Sequence, residues 1–177
     1  MLPSAGPEFR ASFAEVVASE AAAVTMLAEI DPAIIARACD HIMTCRGRVI
    51  CTGMGKSGHI ARKIAATLSS TGSPAHFVHP GEASHGDLGM IQPGDVLLAL
   101  SNSGETRELA DILTYVARRH IPVIAITKRA DSALARHADT VIPLPDVPEA
   151  CSIRMAPTTS TTCSLVIGDA LAIAVMR

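Results

Sequence analysis

Three hydroxyl side chains crowd the short segment Ser101 to Thr106, which follows the apolar run Val96 to Leu100. Such a run is typical of a buried parallel strand, and apolar residues then recur at helical spacing from Thr106 to His120. The hydroxyls and backbone N–H groups would gather at a helix N-terminus, where the helix dipole favours an anion. The segment therefore predicts a phosphate site, formed by Ser101, Asn102, Ser103 and Thr106. The alternative is a helix N-cap with spare polar loop residues.

A glycine-rich turn, Gly53 to Gly58, follows another short apolar run and opens a second helical pattern. It is not a Walker A loop, because Ile50 stands where the first glycine is required. It fits GxGxxG, but no acidic residue follows the next strand to hold a dinucleotide's ribose. Gly55, Lys56 and Ser57 remain candidates for contact with a ligand at this strand end. The alternative is a tight turn with Lys56 in solvent.

The segment His79 to Met90 combines two histidines with two carboxylates. General acid–base catalysis suits this set, because histidine titrates near neutral pH and carboxylates can be tuned towards it. A metal site formed by His76, His79 and His85 is conceivable, but their spacing matches no zinc signature, so no metal is predicted. Further acids near strand ends are Glu105, Glu108 and Glu149. The charge of Glu108 would also suit the first turn of a helix.

These segments need a scaffold that brings strand ends together. Strand patterns alternate with helical ones, and two helices, 8–30 and 32–45, precede the first strand. The pattern predicts an α/β fold with a three-layer, doubly wound, five-stranded parallel sheet, whose ligands bind beyond the carboxyl ends of the strands. The predicted strands are 49–52, 75–78, 96–100, 122–127 and 140–144, and the predicted helices between and after them are 56–70, 106–120, 132–137 and 160–176.

Composition is consistent with one domain, residues 1–177, with N-terminal helices in 1–46 and the α/β core in 47–177. The chain is 49% hydrophobic and 18% charged, with a net charge of −2. The positive residues are scattered along the sequence, so they indicate no basic patch that would bind nucleic acid or an anionic membrane. The apolar segments read as too short or too charged for a transmembrane helix or signal peptide, so we expect a cytoplasmic protein. Five cysteines without a CxxC spacing are expected to be reduced core thiols.

The same segments resemble the sugar isomerase (SIS) domain of bacterial D-arabinose 5-phosphate isomerases. The resemblance runs from about residue 12 to the end and is carried by 53–59, 79–90, 101–105, 149–151 and 156–162. The hydroxyl turn is typical of SIS domains in general, whereas 79–90 is characteristic of this isomerase branch. The resemblance implies a flavodoxin-like SIS fold. It also implies interconversion of D-ribulose 5-phosphate and D-arabinose 5-phosphate, which feeds 3-deoxy-D-manno-octulosonate synthesis for lipopolysaccharide or capsule.

This chemistry moves a proton between C1 and C2 through an enediol, so it needs a base, a group that polarises the carbonyl and a phosphate anchor, but no metal or nucleotide. No cofactor is therefore expected. The resemblance implies that Lys56, His85, Glu108 and Glu149 are catalytic. Glu149 or Glu108 would move the proton, His85 would assist ring opening, and Lys56 would stabilise the enediolate. Thr158 and Ser160 would either reach the sugar or only cap the last helix.

Members of this branch usually continue into tandem CBS repeats, which residues 1–177 do not include, and use a further histidine beyond the SIS domain. The apolar helices at both ends predict burial between subunits. SIS relatives suggest a homotetramer with shared active sites, in which a neighbour supplies His85 or Glu149.

Two other functions stay open: a sugar-phosphate-binding module without turnover, and another SIS isomerase, such as one acting on 3-hexulose 6-phosphate.

Overall fold

Two helices precede the sheet, as the sequence predicts. The computed structural model describes residues 6–151, 153 and 156–176, so the outermost parts of the predicted domain, 1–5 and 177, lie outside them. Helix α1 spans Pro7–Met26 and α2 spans Pro32–Thr44. The predicted first helix ran to residue 30, but its end tightens into a 3-10 turn, Leu27–Glu29. Asp31 begins α2 by accepting a hydrogen bond from the Ala33 N–H at 2.8 Å.

The predicted five-stranded parallel sheet is confirmed. Its strand order is β2-β1-β3-β4-β5, and every neighbouring pair is parallel. This is a doubly wound order, with β1 and β3 side by side at its centre. The strands are β1 (Val49–Gly53), β2 (Ala75–Phe77), β3 (Val96–Leu100), β4 (Val123–Thr127) and β5 (Thr140–Pro143).

The helices that connect the strands differ from the predictions mainly at their ends. The helix predicted at 106–120 begins instead as a 3-10 turn, Arg107–Leu109, and only then becomes α5. The segment between β2 and β3 contains a short helix and a 3-10 turn, Asp87–Met90, that no periodicity indicated. The helices are α3 (Lys56–Ser70), α4 (Pro80–Ala83), α5 (Ala110–Arg118), α6 (Ala133–Arg136) and α7 (Thr159–Ala174).

Successive strand residues face opposite sides of the sheet and build two separate cores. Leu98 and Ile126 belong to the core that packs against α3 and α7. Leu97 and Ala125 belong to the core that packs against α5 and α6. The sheet is therefore the middle of three layers, and its buried strands are near-continuous apolar runs for that reason.

Helix α7 lies close to α3 across one face of the sheet. Gly168 gives no room for a side chain, because a Cβ there would collide with the Ile64 side chain. Lys63 and Asp169 add an ion pair between the same helices. The close approach fixes the N-terminal end of α7 relative to the strand ends, where the candidate site lies.

Helix α1 covers the outer side of α7 and remains largely exposed. Glu20 accepts a hydrogen bond of 2.9 Å from the Thr162 hydroxyl, whereas Phe9, Phe13 and Val17 are 62%, 73% and 52% exposed. By length and composition, the helical stretch Glu8–Glu29 is apolar enough to cross a membrane. The expectation that every apolar segment is too short or too charged for such a helix therefore does not hold for this stretch.

Candidate functional site

The pairing of β1 with β3 brings two of the predicted turns together. Gly53, the last residue of β1, pairs with Leu100, the last residue of β3, so the chain segments that follow them leave the sheet side by side. Gly55 has φ of +57°, a conformation that strongly favours glycine, and α3 begins at the next residue. This places the exposed Lys56 and the half-buried Ser57 beside the hydroxyl turn.

The hydroxyl turn is held by its own side chains. The hydroxyls of Ser101 and Thr106 are 2.7 Å apart, and the Gly104 N–H donates to the Ser101 oxygen at 3.0 Å. Ser103 accepts from the Glu105 N–H at 3.2 Å. Thr106 makes no capping bond to the 3-10 turn that follows it. The turn is therefore ordered before any ligand binds, with Asn102 and Ser103 exposed to solvent.

The Glu149 carboxylate satisfies the N-terminus of α7. Its Oε2 accepts from the backbone N–H groups of Thr158 at 2.7 Å and Ser160 at 3.2 Å, and from the Thr158 hydroxyl at 3.3 Å. These three hydrogen bonds all reach the same carboxylate oxygen. Partial burial alone would raise the pKa of Glu149, but the hydrogen bonds from Ser160 and Thr158 outweigh it and hold the pKa below the usual 4.5. Glu149 is therefore ionised at neutral pH.

Glu149 and the hydroxyl turn share one small cavity. Asn102 from the turn, Glu149 and Ser160 from the α7 end all line it. Cys163 lies on the same wall, and burial raises the pKa of its thiol. The structure thus brings together predicted residues from three separate parts of the chain, at the carboxyl edge of the sheet.

His85 and Glu108 lie on the neighbouring connections but outside that cavity. The Thr52 hydroxyl donates to the Val78 carbonyl at 2.8 Å, which holds the start of the 79–90 segment against the end of β1. Helix α4 packs against α5 and against the 3-10 turn that carries Glu108. Lys56, His85 and Glu108 are exposed, and their side chains make no hydrogen bond to any of the described residues.

The histidines do not assemble into a metal site in the described part of the chain, where no group of three His, Cys, Asp or Glu side chains converges. Both ring nitrogens of His76 are buried and have no hydrogen-bond partner among the described residues. Burial and, secondly, the charge of Arg48 lower the pKa of His76. Burial also raises the pKa of the Cys51 thiol to about 12, which makes that thiol unreactive.

A family model described as the SIS domain matches residues 41–174, from α2 to the end of α7. The chain belongs to the SIS domain family. A solved structure of E. coli CFT073 c3406 in complex with A5P aligns with this SIS domain at a TM-score of 0.91. It is 37% identical, and the alignment covers 97% of this chain and 91% of that one.

Curated relatives are similar over most of the SIS domain. The arabinose 5-phosphate isomerase KdsD of Escherichia coli K12 is 49% identical over 175 residues, which cover 97% of this chain and 52% of the relative. The KdsD of Pseudomonas aeruginosa is 52% identical over 141 residues, which cover 80% of this chain and 43% of the relative. The chain thus spans about half the length of the curated relatives that it matches.

Sequence analysis overlooked Lys128 and Thr127, which touch the hydroxyl turn of the SIS domain. The Thr127 hydroxyl and the Lys128 N–H both donate to the Asn102 carbonyl, at 3.3 and 3.0 Å. Their position at the carboxyl end of β4 was the available signal, because ligands of doubly wound sheets bind beyond that edge. Neither residue belongs to a recognisable motif.

The contribution of Glu149 to the free energy of unfolding is expected to depend on pH. The pKa of Glu149 is lower in the folded domain than its ordinary value of 4.5, so the carboxylate stabilises the fold above that value and loses this effect as pH falls through the folded pKa. Glu149→Gln should cost about 1–2 kcal/mol at pH 7 in urea unfolding. The deficit should shrink as pH falls below 4.5 towards about pH 3.

Glu108→Gln is the matched control, because Glu108 is exposed and its side chain makes no hydrogen bond to any described residue. It should change the free energy of unfolding by less than about 0.5 kcal/mol at both pH values. A deficit for Glu149→Gln that stays the same at pH 7 and pH 3 would contradict the proposed capping role of the charged carboxylate.

Proposed function

We propose that this SIS domain interconverts D-arabinose 5-phosphate and D-ribulose 5-phosphate. The observation that carries the proposal is the 49% identity to KdsD arabinose 5-phosphate isomerases, which extends over 97% of this chain. The A5P complex of c3406, which has the same fold at 37% identity, supports a sugar phosphate as ligand. The ordered hydroxyl turn and the ionised Glu149 at one cavity suit that ligand chemically.

The phosphate of the substrate would bind at the hydroxyl turn. Asn102 and Ser103 are exposed there, while the bond between Ser101 and Thr106 fixes the backbone around them. N–H and O–H donors that are already oriented hold a dianion well, because they do not have to rearrange when it binds. Ser57 and Gly55, at the start of α3, complete the anchor. The phosphate is not assigned to the α7 N-terminus, since the Glu149 carboxylate already accepts from the Thr158 and Ser160 N–H groups there.

The reaction itself needs one proton to move between neighbouring carbons. A carboxylate removes the proton from C2 of the open-chain aldose while the C1 oxygen gains a proton, which gives the enediol. The enediol then receives a proton at C1 and loses the one on the C2 oxygen, which gives the ketose, so no oxidant is consumed. Glu149 suits the base role because its carboxylate is ionised at neutral pH and the residue lines the cavity, whereas Glu108 lies outside it.

Lys56 and His85 would act on the oxygens of the substrate. Lys56 is exposed at the start of α3, so its ammonium group is available to stabilise negative charge on the enediolate oxygen. His85 would help to open the sugar ring by moving a hydroxyl proton. Thr158 and Ser160 hold the carboxylate through their N–H groups, and we place their side chains at the sugar end of the cavity.

We further propose that residues 1–177 form one catalytic unit of a cytoplasmic enzyme, since phosphorylated sugars are dianions confined to the cell interior. Its product would supply 3-deoxy-D-manno-octulosonate synthesis for lipopolysaccharide or capsule. The reaction as written calls for neither a nucleotide nor a metal.

Substitution of the two carboxylates tests the proposed base. Glu149→Gln should lower kcat by roughly 10²–10⁴-fold with a smaller change in KM, because the glutamine side chain has the shape of glutamate but cannot accept the proton. Glu108→Gln should lower kcat less. Conversion of D-arabinose 5-phosphate is followed by the appearance of ketose.

Asp40→Asn on α2, an exposed carboxylate away from the strand ends, is the control and should behave as the unsubstituted domain does. If the unsubstituted domain bound the sugar phosphate without forming ketose, the domain would be a binding module and the proposal would be wrong. If both glutamine variants kept near-normal turnover, the isomerase would stand but its base would not be a carboxylate.

We also propose that the SIS domain assembles as a homotetramer with active sites shared between subunits. Phe9, Phe13 and Val17 recur at four-residue spacing, so they form one exposed apolar face on α1. An apolar face of this kind is unfavourable in water unless a partner covers it. A second copy of this chain would cover it symmetrically, and a neighbour would supply His85 or Glu149 to a shared site.

Light scattering after gel filtration tests the assembly. The unsubstituted domain should elute at about four times the chain mass of 18.4 kDa. Phe13→Glu should shift it to a smaller species, because it buries a charge in the interface. Ser12→Glu adds the same charge at the exposed neighbouring position and should keep the tetramer. A monomeric unsubstituted domain would contradict the proposed assembly.

A further inference from the structure

Lys128 connects two parts of the candidate site. It directly follows β4, and its side chain is 30% exposed. Its backbone N–H donates to the Asn102 carbonyl at 3.0 Å, and the Thr127 hydroxyl donates to the same oxygen at 3.3 Å. The middle of the hydroxyl turn therefore rests on the end of β4 through a carbonyl that receives two hydrogen bonds.

The side chain of Lys128 reaches in the other direction, to the segment that leads to Glu149. Its Nζ donates to the Val147 carbonyl at 3.2 Å and pairs with the Asp146 carboxylate at 2.6 Å. The Asp146 side chain is 92% exposed, so water screens that pair and it contributes little. The bond to the half-buried Val147 carbonyl is the contact that constrains the chain.

One residue, Pro148, separates Val147 from Glu149, and the chain between them is stiff. Pro148 has its φ fixed by its ring, and it also restricts the backbone of Val147. Beyond it, the Ala150 N–H lies 3.0 Å from both the Thr158 and Thr159 hydroxyls. When the Val147 carbonyl is held in place, the backbone of Glu149 is therefore restricted as well.

We propose that Lys128 is a positioning residue, which holds the Glu149 segment at a fixed distance from the hydroxyl turn. Its backbone fixes Asn102, and its ammonium group fixes Val147. With Glu149 as the base and Asn102 at the phosphate, Lys128 sets the separation between the proton acceptor and the anchored end of the substrate. Such alignment matters because small displacements of a catalytic group lower the rate strongly. The role in catalysis rests on the function proposed above.

Kinetics of Lys128 variants test the catalytic consequence. Lys128→Met keeps the backbone bond to Asn102 and removes the side-chain bond to Val147, so kcat should fall about 10-fold or more while KM changes by less than about threefold. Lys128→Arg keeps a charged donor and should restore most of kcat. Asp146→Asn removes only the exposed ion pair and should stay within about twofold of the unsubstituted domain.

Two kinetic results would overturn the inference. One is a Lys128→Met variant with unchanged kcat. The other is a variant whose loss lies in KM alone, since that would assign Lys128 to phosphate binding instead of to the Glu149 segment.

Amide hydrogen exchange tests the same link without any catalysis. In Lys128→Met, the Ala150 amide should exchange at least about 10-fold faster, because the segment that carries it opens more easily. Amides in the middle of the sheet, such as those of Leu98 and Ile126, should keep their protection. An unchanged Ala150 amide, or a loss of protection throughout the sheet, would contradict a specific positioning role. Faster exchange at Ala150 in a domain that forms no ketose would uphold the link and refute the proposed isomerase function.

Discussion

The parallel pairing of β1 with β3 is the constraint on which the candidate site depends. The connection after β1 turns outwards to β2, and the connection after β3 turns the opposite way to β4. Their first residues therefore leave adjacent strand ends and diverge, which opens a crevice at the carboxyl edge of the sheet. All five residues of each strand are buried, so the two turns begin from strands held inside the core.

The charges at this crevice are arranged so that one ligand orientation is favoured. The α7 N-terminus would ordinarily attract a phosphate, but the Glu149 carboxylate occupies it and is ionised at neutral pH. A phosphate dianion would be repelled there and accepted at the hydroxyl turn. The proposed substrate thus has its phosphate at one end of the site and its reacting carbons near the carboxylate. In this account, the same hydrogen bonds that stabilise α7 also determine which end of the sugar meets the base.

Much of this arrangement could be predicted from local sequence signals. Periodicity fixed the bounds of α3 and β3, because a buried parallel strand and an amphipathic helix have distinct patterns. The hydroxyl turn and the glycine turn were found from residue types at strand ends. The 3-10 turn before α5 was missed, since helical spacing alone cannot distinguish it from an α-helix at that end.

The contacts that join separate segments left no such signal. Glu149 was selected through the family resemblance, and its role as an acceptor at the α7 N-terminus depends on a segment that returns from β5. Lys128 contacts backbone carbonyls, that of Asn102 through its own N–H and that of Val147 through its ammonium group. Every residue possesses a carbonyl, so little in the sequence indicated which ones Lys128 would reach. Tertiary structure was needed to find the contacts that these two residues make.

Proton exchange at the substrate carbon tests the central claim most directly. D-Arabinose 5-phosphate is mixed with the 177-residue domain in deuterated water and followed by proton NMR. The account predicts D-ribulose 5-phosphate together with loss of the C2 proton signal, as expected for an enediol formed by a carboxylate base. Binding shifts in the sugar signals, with neither ketose nor exchange at C2, would contradict it.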